Sequence, residues 1–232
     1  MRLNRPVETV NMEYKDIIYK TPVKEGLINY EKTFEDFDWE EVKNHFECFS
    51  NHEVNIAHEA IDRHSSTDKV ALIWEDEDGV QKEYTFLSIK RQSDKCANVL
   101  KSIGIEKGDR VFLFLPRIPE LYISIIAIAK VGAVAGPMFS AFGPEAIMDR
   151  LLDSNAKAII TTPELNQRLN EVKDQLPMLK NVILVDARDN LNEDELSYES
   201  EMNKASEVCK IRWVNPEDYL YILYTSGTTG KP

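Results

Sequence analysis

The chain has 232 residues, 43% hydrophobic and 29% charged, a balance that suits a soluble globular protein with a substantial core and argues against disorder. Its formal charge of −12 and pI near 4.9 argue against the clustered Lys and Arg surface that a nucleic-acid phosphate backbone requires. The cysteines, Cys48, Cys96 and Cys209, lie far apart without a C-x-x-C pair, which points away from a zinc site or a disulfide framework and toward a reduced, cytoplasmic setting.

In chain order, Met1 to Val10 carries Arg2 and Arg5 but no apolar stretch long enough for a signal sequence. Residues 1–64 read as a mostly helical and irregular segment, in which Trp39, Val42, Phe46 and Phe49 recur at helical spacing and give one aromatic face. His45, His52, His58 and His64 sit at intervals of six or seven residues, unsuited to paired ligands on one helix turn, and no metal site is expected from them. Val70 to Trp74 and Lys82 to Phe86 flank a polar stretch ending in Asp78-Gly79, the pattern of a β-hairpin. Leu87 to Ile103 follows as an amphipathic helix ended by Gly104.

From Arg110 strands and helices alternate. Strands are predicted at 110–115, 133–138, 156–161 and 181–186, and helices at 119–131, 144–153 and 163–172, each opened by a proline. Such repeated βα units define an α/β fold with a largely parallel sheet flanked by helices. The most apolar run, Leu121 to Val131, is interrupted by Ser124 and Lys130 and falls short of the roughly 20 residues needed to span a bilayer. The acidic runs Glu75 to Asp78 and Asp186 to Glu201 read as solvated loops or edges.

The chain ends on Tyr224-Thr225-Ser226-Gly227-Thr228-Thr229-Gly230-Lys231-Pro232, preceded by Asp218 to Tyr224, whose β-branched and aromatic residues predict a buried strand. Glycines allow close approach of an anion, successive N–H groups and hydroxyls donate to phosphate oxygens, and Lys231 adds charge. A Walker loop is excluded, because Gly227 and Gly230 are too close and Pro232 stands where a magnesium-binding hydroxyl belongs. Composition alone leaves two readings open, a phosphate cradle and a flexible surface turn.

The string Tyr224 to Pro232 resembles the phosphate-binding signature of the AMP-forming acyl-CoA synthetase (adenylate-forming) superfamily. Arg117 to Tyr122, Lys130 to Pro137 and Phe142 to Ile160 resemble consecutive blocks of acetyl-CoA synthetases, as do Tyr30 to Trp39 and Asn55 to His64. The resemblance covers less than half of such an enzyme and implies its amino-terminal fragment: an extension over 1–64, then an incomplete AMP-binding domain over 65–232. It implies an acetate–CoA ligase that uses ATP, Mg²⁺ and coenzyme A, and a fragment that is inactive by itself. Another short- or medium-chain acid, or a non-catalytic binding module, stays open beside it.

By the same resemblance Thr225, Ser226, Gly227, Thr228, Thr229, Gly230 and Lys231 would hold the ATP β- and γ-phosphates, and no catalytic residue falls within the fragment. Phe139, Ser140, Ala141 and Arg168 would lie along the coenzyme A path. Ser140 and Ala141 replace glycines familiar in that segment, and Arg168 stands alone where some relatives carry a close pair of arginines. For Arg168 a plain surface position on a helix remains the alternative. Partners would be small molecules, with neither nucleic acid nor membrane involved.

Overall fold

The computed structural model describes residues 30–47, 52–187 and 191–225. The chain divides into two compact units, Met1–Lys43 and Asn44–Pro232. Within the first, the described residues form two short helices, α1 (Tyr30–Glu35) and α2 (Trp39–Lys43). The aromatic-faced helix expected to run on through Phe46 stops at Lys43, and Phe49 lies outside the described residues. No residue of α2 is buried, and so short a helix has no packed face to sustain further turns.

The second unit opens with α3 (Ile56–Ala60), capped by Asn55, whose side-chain oxygen accepts the Ala57 N–H at 2.9 Å. Asn55 is itself buried and donates to the carbonyls of Ala129 (2.7 Å) and Arg212 (2.9 Å), so one amide joins three stretches of chain. His58 spends its ring nitrogen on Glu47, whose carboxyl is held below its usual range by that hydrogen bond. A 3₁₀ turn over Asp62–His64 leads to the expected antiparallel hairpin, β1 (Val70–Glu75) and β2 (Gln81–Thr85). Its turn ends at Gly79 with φ of +80°, where a side chain would be strained. The Thr85 hydroxyl accepts the Ser88 N–H at 3.1 Å and starts α4 (Phe86–Ser102).

The βα alternation is as expected. The strands are β3 (Arg110–Phe114), β4 (Val134–Met138), β5 (Ala158–Thr161), β6 (Asn181–Leu184) and β7 (Glu195–Ser197). They form one parallel sheet in the order β4-β3-β5-β6-β7. Between them run α5 (Pro119–Val131), α6 (Pro144–Asp153) and α7 (Pro163–Asn170), and α8 (Tyr198–Lys204) follows β7. Side chains alternate across the sheet with period two. Val111, Leu113, Ile160 and Ile183 pack with α4, α5 and α8, whereas Phe112, Phe114, Ile159 and Val182 pack with α6 and α7.

One expectation needs correction here, and one residue gains a role. The acidic stretch 186–201 does supply an edge, β7 being the last strand of the sheet, but it also forms most of α8, and Glu195 is buried rather than solvated. Burial would raise the Glu195 carboxyl, but hydrogen bonds from Asn192 and Asn166 (2.9 and 2.7 Å) and the nearby Lys173 charge outweigh it and hold the pKa below the ordinary value. Lys130, read as an interruption of an apolar run, is fully buried between Asp62 (2.8 Å) and Asp94 (2.6 Å). Asp94 also faces Lys90 at 2.6 Å; burial alone would lower that ammonium, yet Asp94 raises it above its usual value. Nearby, burial pushes the Cys96 thiol up to about 12, which keeps it neutral and unreactive.

Glu120, in the first turn of α5, is pushed up by burial and by Asp186 and Glu199. A carboxyl whose pKa is raised by folding binds protons more tightly in the native state, so its penalty builds as pH rises from the unfolded value to the folded one and is full above that. Glu120→Gln is therefore expected to stabilise the protein at pH 7–8 and to lose that advantage below about pH 4. Thermal melts of both proteins across that range check it; a constant offset at every pH would sink it.

Candidate functional site

In an open parallel sheet the ligand crevice lies beyond the carboxyl ends of the strands, at the point where successive connections turn to opposite faces. Here α5 crosses one face and α6 and α7 the other, so that point falls between β3 and β5. The Thr161 hydroxyl, at the end of β5, donates to the Phe114 carbonyl at 2.8 Å and closes the two strand ends together. Two clefts of about 540 and 520 Å³ lie at the opposite, amino-terminal ends, lined by Lys101, Lys107, Lys210 and Arg212 among others. Their size does not make them the site, because the strand termini and helix starts that handle phosphate chemistry face the other way.

The four residues expected along the coenzyme A path come together at the carboxyl end. Phe139 is 71% exposed, and Phe139 to Phe142 form a tight turn in which the Phe142 N–H meets the Phe139 carbonyl at 3.0 Å. Arg168, half-buried on α7, reaches this turn and donates from Nη1 to the carbonyls of Ser140 (2.7 Å) and Phe142 (3.2 Å). It is therefore no free surface arginine. Its Nε and Nη2 have no protein partner among the described residues, leaving N–H groups for an anion.

The strand expected at 218–224 is a correction. This segment lies along the outer edge of β4 in the parallel sense, but a single bridge pairs it, Ala135 with Tyr221. Ala135 donates to the Leu220 carbonyl at 3.0 Å and accepts the Ile222 N–H at 2.8 Å. The next residue of β4 whose N–H would face this edge is residue 137, a proline, and the ladder stops for want of a donor. Nor is the segment buried, for Tyr219, Leu220, Tyr221 and Leu223 are all exposed. Parallel pairing still carries Tyr224 and Thr225 toward the end of the sheet where the Phe139–Phe142 turn lies.

Tyr224 anchors that end. Its hydroxyl donates to Asp153 at 2.6 Å, and burial together with this carboxylate pushes the phenol up to about 12. The Arg150 guanidinium sits 4.3 Å from the Phe142 ring centroid and 5.3 Å from that of Tyr224. Thr225 is exposed, while Ser226, Gly227, Thr228, Thr229, Gly230 and Lys231 lie outside the described residues. Arg150 and Asp153 were given no role by sequence reasoning. The available signal was a cation at position 150, on the same helical stripe as the buried Ile147 and Leu151.

Comparison with known proteins places the chain in a family. The family model described as AMP-binding enzyme matches residues 58–232. The acetyl-coenzyme A synthetase of Bacillus subtilis (strain 168) is 42% identical over 218 residues, covering 91% of this chain and 38% of that protein. That of Halorhodospira halophila is 35% identical over 211 residues, covering 84% of this chain and 33% of the relative. The crystal structure of a Brucella canis acyl-CoA synthetase superposes with a TM-score of 0.80 at 28% identity, over 87% of this chain and 36% of that one. The chain thus spans well under half the length of these relatives.

Proposed function

The chain belongs to the AMP-binding enzyme family, and from that premise we propose that it is the front portion of an AMP-forming acetate–CoA ligase. In the first half-reaction an acetate oxygen attacks the α-phosphorus of ATP and the bond to the β-phosphate oxygen breaks, giving acetyl-adenylate and pyrophosphate. In the second, the coenzyme A sulfur attacks the acetyl carbon and AMP leaves. Both steps bring anions together, so the protein's task is orientation and charge compensation.

In this reading Thr225 to Lys231 grip the β- and γ-phosphates, with backbone N–H groups and hydroxyls donating and Lys231 offsetting charge as pyrophosphate forms. Phe139, Ser140 and Ala141 border the coenzyme A path, and the unused N–H groups of Arg168 meet one of its phosphates. Mg²⁺ bound to the triphosphate would neutralise part of its charge. No group of three or more His, Cys, Asp or Glu side chains among the described residues could hold a metal ion, and we assign the ion no residue here. Residues 1–64 serve as the amino-terminal extension and 65–232 as part of the AMP-binding domain. The 232 residues alone are inactive in this reading, and the parent works in the cytoplasm. No helix among the described residues is long and apolar enough to cross a membrane.

What supports this reading most is the 42% identity to an acetyl-coenzyme A synthetase over nearly the whole chain. Acetate-dependent exchange of labelled pyrophosphate into ATP by the complete gene product tests it. Exchange with acetate is the expected result. Exchange only with a longer or aromatic acid would move the substrate, and none with any carboxylic acid would overturn the ligase.

A further inference from the structure

Arg150 is 6% exposed, yet among the described residues no carboxylate lies within ion-pairing distance of its guanidinium. Its Nη1 donates to the Ala146 carbonyl, one turn back in α6, at 2.9 Å. For the rest of its charge it has two aromatic rings, Phe142 at 4.3 Å and Tyr224 at 5.3 Å. A buried cation is costly unless compensated, and the negative faces of two rings are what compensates it here. Each ring belongs to a different segment. Phe142 closes the turn after β4, which Arg168 grips by two carbonyls, and Tyr224 directly precedes Thr225.

We propose that Arg150 is a positioning residue for the phosphate-gripping loop, its guanidinium tying the Phe139–Phe142 turn to Tyr224 so that the two segments move as one unit. The loop's task rests on the ligase reading above; the tie itself does not. Tyr224 is also held by its hydroxyl on Asp153 and on the Arg150 carbonyl (2.6 and 3.3 Å), so its ring has little freedom to leave the guanidinium. A ligand that orders the turn through Arg168 would therefore also order the root of the loop, and by linkage the reverse would hold.

Amide hydrogen exchange on the 232-residue chain tests the tie without any activity. Phe142→Leu removes one ring and leaves the hydrogen bonds of Arg168 and Tyr224 in place. It is expected to speed exchange in peptides covering 221–225 by up to about tenfold, as well as in those covering 139–143. Arg150→Met should do the same, and Arg150→Lys, which keeps a cation over the rings, should restore most of the protection. Faster exchange confined to 139–143 in Phe142→Leu overturns the proposal, as does a lysine variant no better than methionine. If Arg150→Met fails to fold, the phenylalanine and lysine variants carry the test.

In the complete protein, Arg150→Met should raise the KM for ATP by about tenfold with little change in that for acetate. A fall in kcat alone would mark a merely structural role and count against positioning. Exchange coupling without any pyrophosphate exchange activity would leave the tie standing and remove the ligase reading.

Discussion

Replacing Lys130 with methionine is expected to destabilise the 44–232 unit by about 3–5 kcal/mol, because it abandons buried charges that the ammonium now compensates. Asp94 is completely buried and Asp62 nearly so, and both lie within 2.8 Å of the Lys130 nitrogen. Without the ammonium, Asp94 keeps, among the described residues, only Lys90, whose side chain is 29% exposed and can turn toward water, and Asp62 has no other cation among them within ion-pairing distance. For a unit of this size the loss corresponds to a fall of roughly 10 °C in melting temperature. Adding Asp94→Leu to Lys130→Met should recover part of the loss, since a buried ion group exchanged for packed apolar side chains is often near neutral. Urea denaturation of the single and double variants decides it. A lysine variant within about 1 kcal/mol of the parent, or a double variant worse than the single, would refute the account.

The same lysine shows where the sequence stops being legible. Hydrophobic period and proline-opened helices located β3 to β6 and α5 to α7 because those elements are defined by local pattern, and burial on both faces makes each strand a continuous apolar run. Lys130 broke the pattern, and its partners, Asp62 and Asp94, sit on other elements at separations no periodicity reports. Glu195 is hidden for the same reason, since it takes Asn192, Asn166 and the Lys173 charge together to make a carboxylate tolerable inside. In the other direction, Asp218 to Tyr224 has strong strand composition yet lacks a ladder, and the cause is one missing N–H on its neighbour, Pro137. At the site, the resemblance draws Phe139 to Ala141 and Arg168 toward one ligand, and the fold sets Arg168 on the carbonyls of Ser140 and Phe142 in that turn. It said nothing of Arg150, whose setting between two rings arises only when α6, the turn after β4 and the final segment are stacked together.

Gly136→Val is expected to be the most damaging change within the sheet itself. Gly136 lies opposite Phe112 across the β3–β4 pair, and a β-carbon built at residue 136 would fall 2.6 Å from two atoms of the Phe112 ring. No real contact is so short, so either the ring or the strand must move. The ring is fully buried against α6 and α7, where interiors are packed as densely as organic crystals and offer it no vacant rotamer. Even Gly136→Ala should cost about 1–3 kcal/mol by overpacking. The gain from a less flexible unfolded chain, about 0.4–1 kcal/mol, is too small to offset it. Valine, with two further methyl groups, should cost more and shift β4 outward. That shift would reach the Phe139–Phe142 turn, which β4 carries at its end. Phe112→Leu, destabilising by itself, should partly rescue Gly136→Val by making room, so the pair would be strongly non-additive. Additive losses in denaturation experiments would show that the glycine is needed for something other than the ring above it.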